Sequence, residues 1–309
     1  MDLFRLLLWR LVGSFLVVFA VVSIVFFISR VIGNPVSYLA PIDATPEDLI
    51  RIEEVYGLDE PIIEQYKDFL LDVAQLKMGD SFRTGQPAVE EVRSRIWKTV
   101  QLGLAALVFS LTLGVSAGVT AAIYRGSVVD IFVRLLALIG QAAPSFWLGL
   151  MLIFFFSVRL GWLPTGGRGG LDHMILPAIT LGTAGAASIA RLTRSALLDV
   201  LNSDFVTMAR AKGLPRRTVI FKHALRNAMI PVVTILGLRI GALISGSVIV
   251  ETIFAWPGVG RLIIQAINVS DFPVVQAAIL LTASAVVFAN LLTDIAYMFI
   301  DPRIRYVRT

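Results

Sequence analysis

The chain lacks cysteine altogether, and charged residues make up only 16% of its 309 residues. The absence of cysteine excludes disulfide bonds, thiolate metal sites and a cysteine nucleophile. The charged fraction is well below the roughly 25% of an average soluble domain. Uncharged runs extend over residues 11–29 and 99–124. Because a membrane-spanning helix needs roughly 20 mostly apolar residues, these runs predict an integral membrane protein.

The chain also lacks the common catalytic and nucleotide-binding motifs. None of its lysines follows a glycine, so it has no phosphate-binding loop of the G-x-x-x-x-G-K-[ST] kind. It has no H-E-x-x-H pair and no nucleophile elbow. We therefore expect no catalytic residue, no metal site and no directly bound cofactor. The formal charge of +5 lies in loops between apolar runs, so we expect no nucleic-acid partner.

Six apolar segments predict six membrane-spanning helices, at residues 9–31, 99–124, 133–158, 174–193, 228–251 and 275–299. An even number places both termini on the same side of the membrane. Short loops on that side carry most of the Lys and Arg residues, whereas the other side has only Arg159, Arg168 and Arg261. The positive-inside rule therefore predicts cytoplasmic termini. The expected fold class is an all-α, polytopic membrane protein.

These spans divide the chain into four parts. They are a cytoplasmic end with the first span (1–31), an external segment (32–98), a five-helix core (99–300) and a cytoplasmic tail (301–309). In the external segment, Thr45 followed by Pro46 predicts the start of a helix, because proline suits the first turn and threonine the cap. A second helical stretch is expected at residues 61–77. The external segment is either a passive connector or a docking surface.

The long cytoplasmic loop of the core, residues 194–227, contains a short amphipathic pattern. Ser203 and Asp204 are expected to cap a helix that ends at Gly213 and Pro215. Since so short a helix is only marginally stable alone, it must pack against something. A second helical segment, residues 219–229, follows. Taken from the pattern alone, a basic helix lying on anionic lipid is the alternative interpretation.

The residues of this loop resemble those of a known family. Residues 209–214 (ARAKGL) and 222–231 (KHALRNAMIP) are similar to the cytoplasmic loop of ATP-binding-cassette (ABC) importer permeases of the peptide, nickel and glutathione group. The similarity continues at residues 57–61 (GLDEP), 79–81 (GDS), 160–164 (LGWLP), 251–261 (ETIFAWPGVGR) and 271–276 (DFPVVQ). The wider superfamily has Glu-Ala-Ala where this chain has Thr207-Met208-Ala209, whereas Gly213 matches.

The resemblance implies the type I ABC permease architecture and a role in transport. The chain would form half of a translocation path for peptides or glutathione-like solutes across the bacterial inner membrane, with nickel complexes and oligosaccharides as alternatives. The implied partners are a second homologous permease, two ATPase subunits that use ATP and Mg, an extracytoplasmic solute-binding protein and membrane lipid. Outside this class, the alternative is a self-sufficient secondary carrier, although the sequence shows no paired halves with broken helices.

The resemblance also implies which residues dock onto the ATPase. In such importers a short cytoplasmic helix sits in a groove on the ATPase, and closure of the ATPase pair moves the spans. The residues at the matching positions are Ser203, Asp204, Phe205, Val206, Met208, Ala209, Arg210, Ala211, Lys212, Gly213 and Leu214.

Three ionisable residues lie within or at the ends of the predicted spans, where such residues usually face a bundle interior or water. Arg239 is in the middle of the fifth span, Glu251 at its outer end, and Asp294 near the cytoplasmic end of the sixth. We predict that they line the translocation path. The alternatives for Arg239 are a structural ion pair with Asp294 or snorkelling to an interface.

Overall fold

The computed structural model describes residues 3–32, 45–55, 59–245 and 247–300. The predicted tail, residues 301–309, lies outside the described residues. Two compact units are present, a terminal unit (Met1–Lys98 with Pro257–Thr309) and a central unit (Thr99–Trp256). The regular elements of the described residues are all helices, which confirms the all-α fold class.

In chain order the described helices are α1 (Leu3–Ile32), α2 (Pro46–Val55), α3 (Ile62–Ala74), α4 (Ala88–Ile123), α5 (Val128–Ala142), α6 (Ser145–Leu152), α7 (Asp172–Leu201), α8 (Asp204–Ala211), α9 (Leu225–Ser245), α10 (Ser247–Ile253), α11 (Val259–Asn268) and α12 (Phe272–Ile300). Two π-helical segments extend them. Ile153–Arg159 continues α6, and Thr218–Ala224 leads into α9. Helix α2 begins at Pro46, as predicted, because the missing N–H of proline costs nothing in a first turn.

The six predicted spans correspond to five single helices and one bent pair. The single helices that are long and apolar enough to cross a membrane are Leu8–Ile28, Ala88–Ile123, Asp172–Leu201, Thr218–Leu236 and Phe272–Thr293. The third predicted span corresponds to α5 together with α6 and its π-helical extension, which meet the length and hydropathy of a span only as a pair. These two parts are bent by 108° relative to each other, so the predicted third span, residues 133–158, is not one straight helix.

The bend follows from Pro144. Proline has no N–H to donate within a helix, and its ring clashes with the carbonyl group four residues earlier. It also drives the preceding residue out of the helical region. Accordingly Ala143 has a ψ angle of 125° and Pro144 a ψ angle of 135°. The apolar run continues through this point, so hydropathy alone does not reveal the break.

In the terminal unit, the first turns of α4 pack against α11 and α12. Ala88 and Val92 are fully buried there, next to Leu262 and Ala277. Helix α1 packs along α12. Helix α3 lies against α1, where the hydroxyl groups of Tyr66 and Ser23 are 2.6 Å apart. These contacts group residues 257–300 with the N-terminal part of the chain, whereas the sequence placed residues 99–300 in one core.

The central unit is built around α7, which packs against α5, α6 and α9. Its contact with α4 is close because two glycines of α4 face it. A Cβ atom on Gly118 would lie 2.5 Å from the carbonyl oxygen of Ala190, and one on Gly114 would lie 2.7 Å from that of Ala186. Small residues spaced four apart allow helix backbones to approach in this way.

Candidate functional site

The candidate site is helix α8 with its surroundings in the central unit. A turn at Asn202 and Ser203 connects α7 to α8. Ser203 has the extended backbone of a helix cap, but its hydroxyl group donates to the carbonyl oxygen of Val200 at 2.5 Å. Ser203 therefore occupies the cap position, as predicted, but its side chain makes no capping hydrogen bond. Asp204, in the first turn, places negative charge near the positive end of the helix dipole.

One face of α8 is buried in the central unit. Val206 is wholly inaccessible and lies in an apolar cluster with Val119 of α4, Leu197 of α7 and Val219 of the second π-helical segment. Ala209 packs against the same cluster. Burial of a valine side chain stabilises by roughly 1.5–3 kcal/mol, which is large for a helix that would not persist alone. Packing therefore holds α8 in place, as predicted.

The opposite face of α8 carries exposed apolar side chains. Phe205 is 44% exposed and Met208 is 60% exposed. They are three residues apart, so they lie next to each other on one side of the helix. Ala211 and Lys212, at the end of the helix, are exposed as well. Exposed apolar side chains grouped on one helix face are typical of a protein-binding surface.

Helix α8 ends in a Schellman motif, the arrangement in which two backbone N–H groups bond back to the last turn. Gly213 has a φ angle of +75°, a left-handed conformation that glycine adopts without strain. Its N–H group donates to the carbonyl oxygen of Arg210 at 2.9 Å, and that of Leu214 donates to the carbonyl oxygen of Ala209 at 3.4 Å. The predicted stop at Gly213 is confirmed.

A buried ion pair that the sequence did not predict joins α5 to α7. Asp130, only 1% exposed, accepts hydrogen bonds from Nε and Nη2 of Arg194 at 2.7 and 2.8 Å. The backbone N–H group of Gly126 donates to the same carboxylate at 3.0 Å, and Nε of Arg134 lies 3.3 Å from it. Bidentate, charge-assisted pairs of this kind fix both distance and orientation.

One local pattern in the sequence indicates that Asp130 belongs to a helix. The predicted third span began at residue 133, which left Asp130 in a loop. However, Ser127 and Asp130 have the spacing of a helix start, and the Ser127 hydroxyl oxygen does accept the N–H group of Asp130. That pattern predicts a helix beginning near residue 128 but does not identify Arg194 as the partner.

The structure describes one of the three predicted path residues in full. Glu251, in α10, is wholly buried, and Oγ1 of Thr99 in α4 donates to its carboxylate at 2.7 Å. The side chains of Arg239 and Asp294 lie outside the described residues. Glu251 therefore faces the interior of the central unit, and a role of the three residues in the path stays a prediction.

In the terminal unit, the loop before α4 is fixed to the turn between α11 and α12. The Ser81 hydroxyl group donates to Oδ2 of Asp271 at 2.5 Å, and the N–H group of Phe82 donates to Oδ1 at 3.2 Å. A Cβ atom on Gly79 would touch the ring of Pro273 at 3.8 Å. The GDS and DFP motifs, which lie far apart in the sequence, thus form one hydrogen-bonded structure.

Residues 114–306 match the family described as binding-protein-dependent transport system inner membrane component, and residues 3–103 match the N-terminal domain of such components. The dipeptide transport system permease protein DppB of Alkalihalophilus pseudofirmus is 39% identical over 97% of both chains. The glutathione transport system permease protein GsiC of Escherichia coli strain K12 is 40% identical over 96% of this chain and 97% of its own.

Solved structures share the fold at lower identity. A chain of the MetNI methionine ABC transporter in an inward-facing conformation has a TM-score of 0.57 and 19% identity, and the match covers 68% of this chain and 96% of that chain. A chain of an amino acid ABC transporter has a TM-score of 0.50 and 17% identity, covering 69% and 94%. At these identities the likeness shows the fold alone.

Proposed function

Since the chain belongs to the family of inner membrane components of binding-protein-dependent transport systems, we propose that it is one of two related permease subunits of an ABC importer for peptides or glutathione-like solutes. The relatives named for dipeptide and glutathione transport support this substrate class. Nickel complexes and oligosaccharides are the alternatives. Family membership makes the chain a multi-pass transport subunit and decides against the self-sufficient secondary carrier.

The two faces of α8 carry the proposal of ATPase coupling. The exposed face, with Phe205 and Met208, sits in a groove of an ATPase subunit that binds and hydrolyses ATP with Mg. The buried face, through Val206, holds α8 against α4 and α7. A displacement of α8 is therefore passed directly to two membrane-spanning helices, which is the small sliding of packed elements that domain motions use.

The orientation in the membrane follows from the distribution of charge. Basic residues are abundant near the termini and in the loop around α8, so these parts lie in the cytoplasm of the bacterium. The loop fixed by Ser81 and Asp271 then lies outside, where it offers a preformed surface to a solute-binding protein. This rigid loop favours the docking role of segment 32–98 over a passive connector.

Coexpression of the chain with candidate ATPase subunits tests the coupling role. We expect Met208→Ala and Phe205→Ala each to reduce the ATPase retained on the purified permease, because interface anchors contribute more than about 1 kcal/mol, or about five-fold in affinity. The matched control is Ile63→Ala, which removes an apolar side chain of similar exposure from α3. Equal ATPase retention by all three variants and the unaltered chain would contradict the assignment of α8.

Uptake into proteoliposomes tests the substrate class. Vesicles that contain the permease pair, the ATPases and the solute-binding protein should accumulate a labelled dipeptide or glutathione in an ATP-dependent manner. Accumulation of a nickel complex or an oligosaccharide in preference to both would overturn the peptide assignment. Uptake by this chain alone, without ATPases, would overturn the importer assignment itself.

A further inference from the structure

A cavity of about 490 Å³ lies beside α8 within the central unit. This volume falls within the roughly 300–1,000 Å³ of ligand pockets and is far larger than a packing defect. Its wall is formed by the end of α4, the end of α7, the last turn of α8 and the segment that follows α8. The surface formed by Phe205 and Met208 does not border this cavity, although the resemblance also assigns Arg210 and Leu214, which line it, to ATPase docking.

The lining of the cavity combines two arginines with apolar side chains. The guanidinium groups belong to Arg210 and Arg216, and the apolar wall includes Ile123, Leu201 and Ile220. No acidic residue is among the described residues that line it. Guanidinium groups recognise phosphate by bidentate hydrogen bonds, whereas the apolar wall suits the glycerol and first methylenes of a lipid.

The position of Arg210 on α8 separates the cavity from the partner-facing surface. Arg210 is four residues after the buried Val206, so the two lie on the same side of the helix. Phe205 and Met208 project from the other side. Arg210 is itself exposed, but it lies on a different side of α8 from Phe205 and Met208, so an ATPase that binds through those two residues leaves the cavity open.

The cavity also lies beside the end of a long uncharged run. Ile123 is the last residue of α4, and the uncharged run of this helix ends at Tyr124. This end is cytoplasmic in the proposed orientation, on which the inference rests. Basic pockets beside spanning helices at the cytoplasmic surface are where anionic lipid headgroups bind.

We propose that this cavity binds the phosphate headgroup of an anionic phospholipid from the cytoplasmic leaflet. Arg210 and Arg216 hold the phosphate, and Ile123, Leu201 and Ile220 contact the glycerol and the start of the acyl chains. The lipid fills the space between α8 and the ends of the spans, so it helps to hold the coupling helix in position.

Lipid retention by the purified full-length chain tests this site independently of transport. The chain is reconstituted in vesicles of phosphatidylcholine with increasing phosphatidylglycerol, extracted, and analysed by native mass spectrometry for bound lipid. We expect one tightly held phosphatidylglycerol, and about thirty-fold weaker retention in the variant Arg210→Gln with Arg216→Gln, since each arginine near the surface contributes about five-fold. Arg216→Lys keeps the charge but loses the planar fork, so it should retain more lipid than Arg216→Gln.

The control is Arg217→Gln, which removes an arginine that is exposed, as Arg210 and Arg216 are, but does not line the cavity. Equal loss of lipid in this control, or equal retention of phosphatidylcholine, would show that only the general basic surface matters and would overturn the proposal. Displacement of the lipid by inorganic phosphate alone would assign the site to a soluble phosphate compound instead. If added ATPase displaced the lipid, with one lipid lost for each ATPase subunit bound, the cavity would instead be part of the ATPase interface. Because none of these measurements requires uptake, failure of the lipid site is distinguishable from failure of the transport role.

Discussion

Replacing Asp130 by asparagine tests whether the ion pair between α5 and α7 stabilises the central unit. The substitution keeps the size of the side chain but removes its charge and turns one acceptor into a donor. That donor then faces the N–H groups of Arg194, which lie 2.7 and 2.8 Å from the present oxygens. The guanidinium group is left without a carboxylate partner in a largely buried place.

The expected cost can be estimated from the exposure of the partners. Removing one member of a fully buried pair destabilises by roughly 3–5 kcal/mol. The Arg194 side chain is 23% exposed, so part of its charge can be rehydrated and we expect a loss of about 2–4 kcal/mol in the free energy of unfolding. Arg134 approaches the same carboxylate but is 51% exposed, so Arg134→Gln should cost at most about 1 kcal/mol.

Unfolding of the purified chain in mixed micelles with increasing sodium dodecyl sulfate, followed by circular dichroism, measures both values. The double variant Asp130→Asn with Arg194→Gln should be destabilised by less than the sum of the two single changes, because each single change already removes the same ion pair. An effect of Asp130→Asn no larger than that of Arg134→Gln would refute the importance of the bidentate pair. Strict additivity in the double variant would do the same.

Three further predictions concern packing and the external loop. Val206→Ala removes two buried methyl groups, so it should lower the free energy of unfolding by about 2 kcal/mol in the same assay. It should also release α8, which would be seen as faster proteolysis of the loop. Unchanged stability would show that this contact does not hold α8. Gly118→Ala should cost about 1–3 kcal/mol by overpacking against α7, whereas Gly13→Ala, with nothing within 4 Å, should cost none, so equal effects would contradict the close approach. Asp271→Asn should weaken the hydrogen bond with Ser81 and reduce stimulation of the ATPase by the solute-binding protein without reducing retention of the ATPase, and a loss of ATPase retention instead would argue against an external role.

The sequence predicted the parts of the fold that depend on local composition. Apolar runs located the spans because the thickness of the bilayer sets their length. The end of α8 was predictable because Gly213 adopts a backbone conformation that other residues avoid. The start of α8 was predictable as well, since Ser203 occupies the cap position, but the hydrogen bond that its side chain makes was not. A serine at a cap position can also donate to the preceding turn, as Ser203 does, and the local sequence does not decide between the two.

Features that join distant parts of the chain were not predictable from one sequence. Nothing local to Asp130 indicates Arg194, and nothing in the GDS motif indicates that Ser81 contacts Asp271. Such pairs are decided by how helices pack, which single-sequence patterns do not specify. Pro144 is a local sequence signal for the bend. However, proline also occurs inside the unbroken helices α7 and α9, so a proline alone does not establish a break.

The proposed coupling role requires that a short helix move longer ones, and the buried contacts of the central unit provide the connection. Val206 fixes α8 to α4 and α7, and the pair of Asp130 with Arg194 fixes α5 to α7. Through the closely packed Gly114 and Gly118, α4 and α7 have little room to slide past each other. A force on the exposed face of α8 is therefore transmitted to α4, α5 and α7 through closely packed contacts. The helix itself needs no intrinsic stability for this purpose, because its position is determined by the residues that bury it.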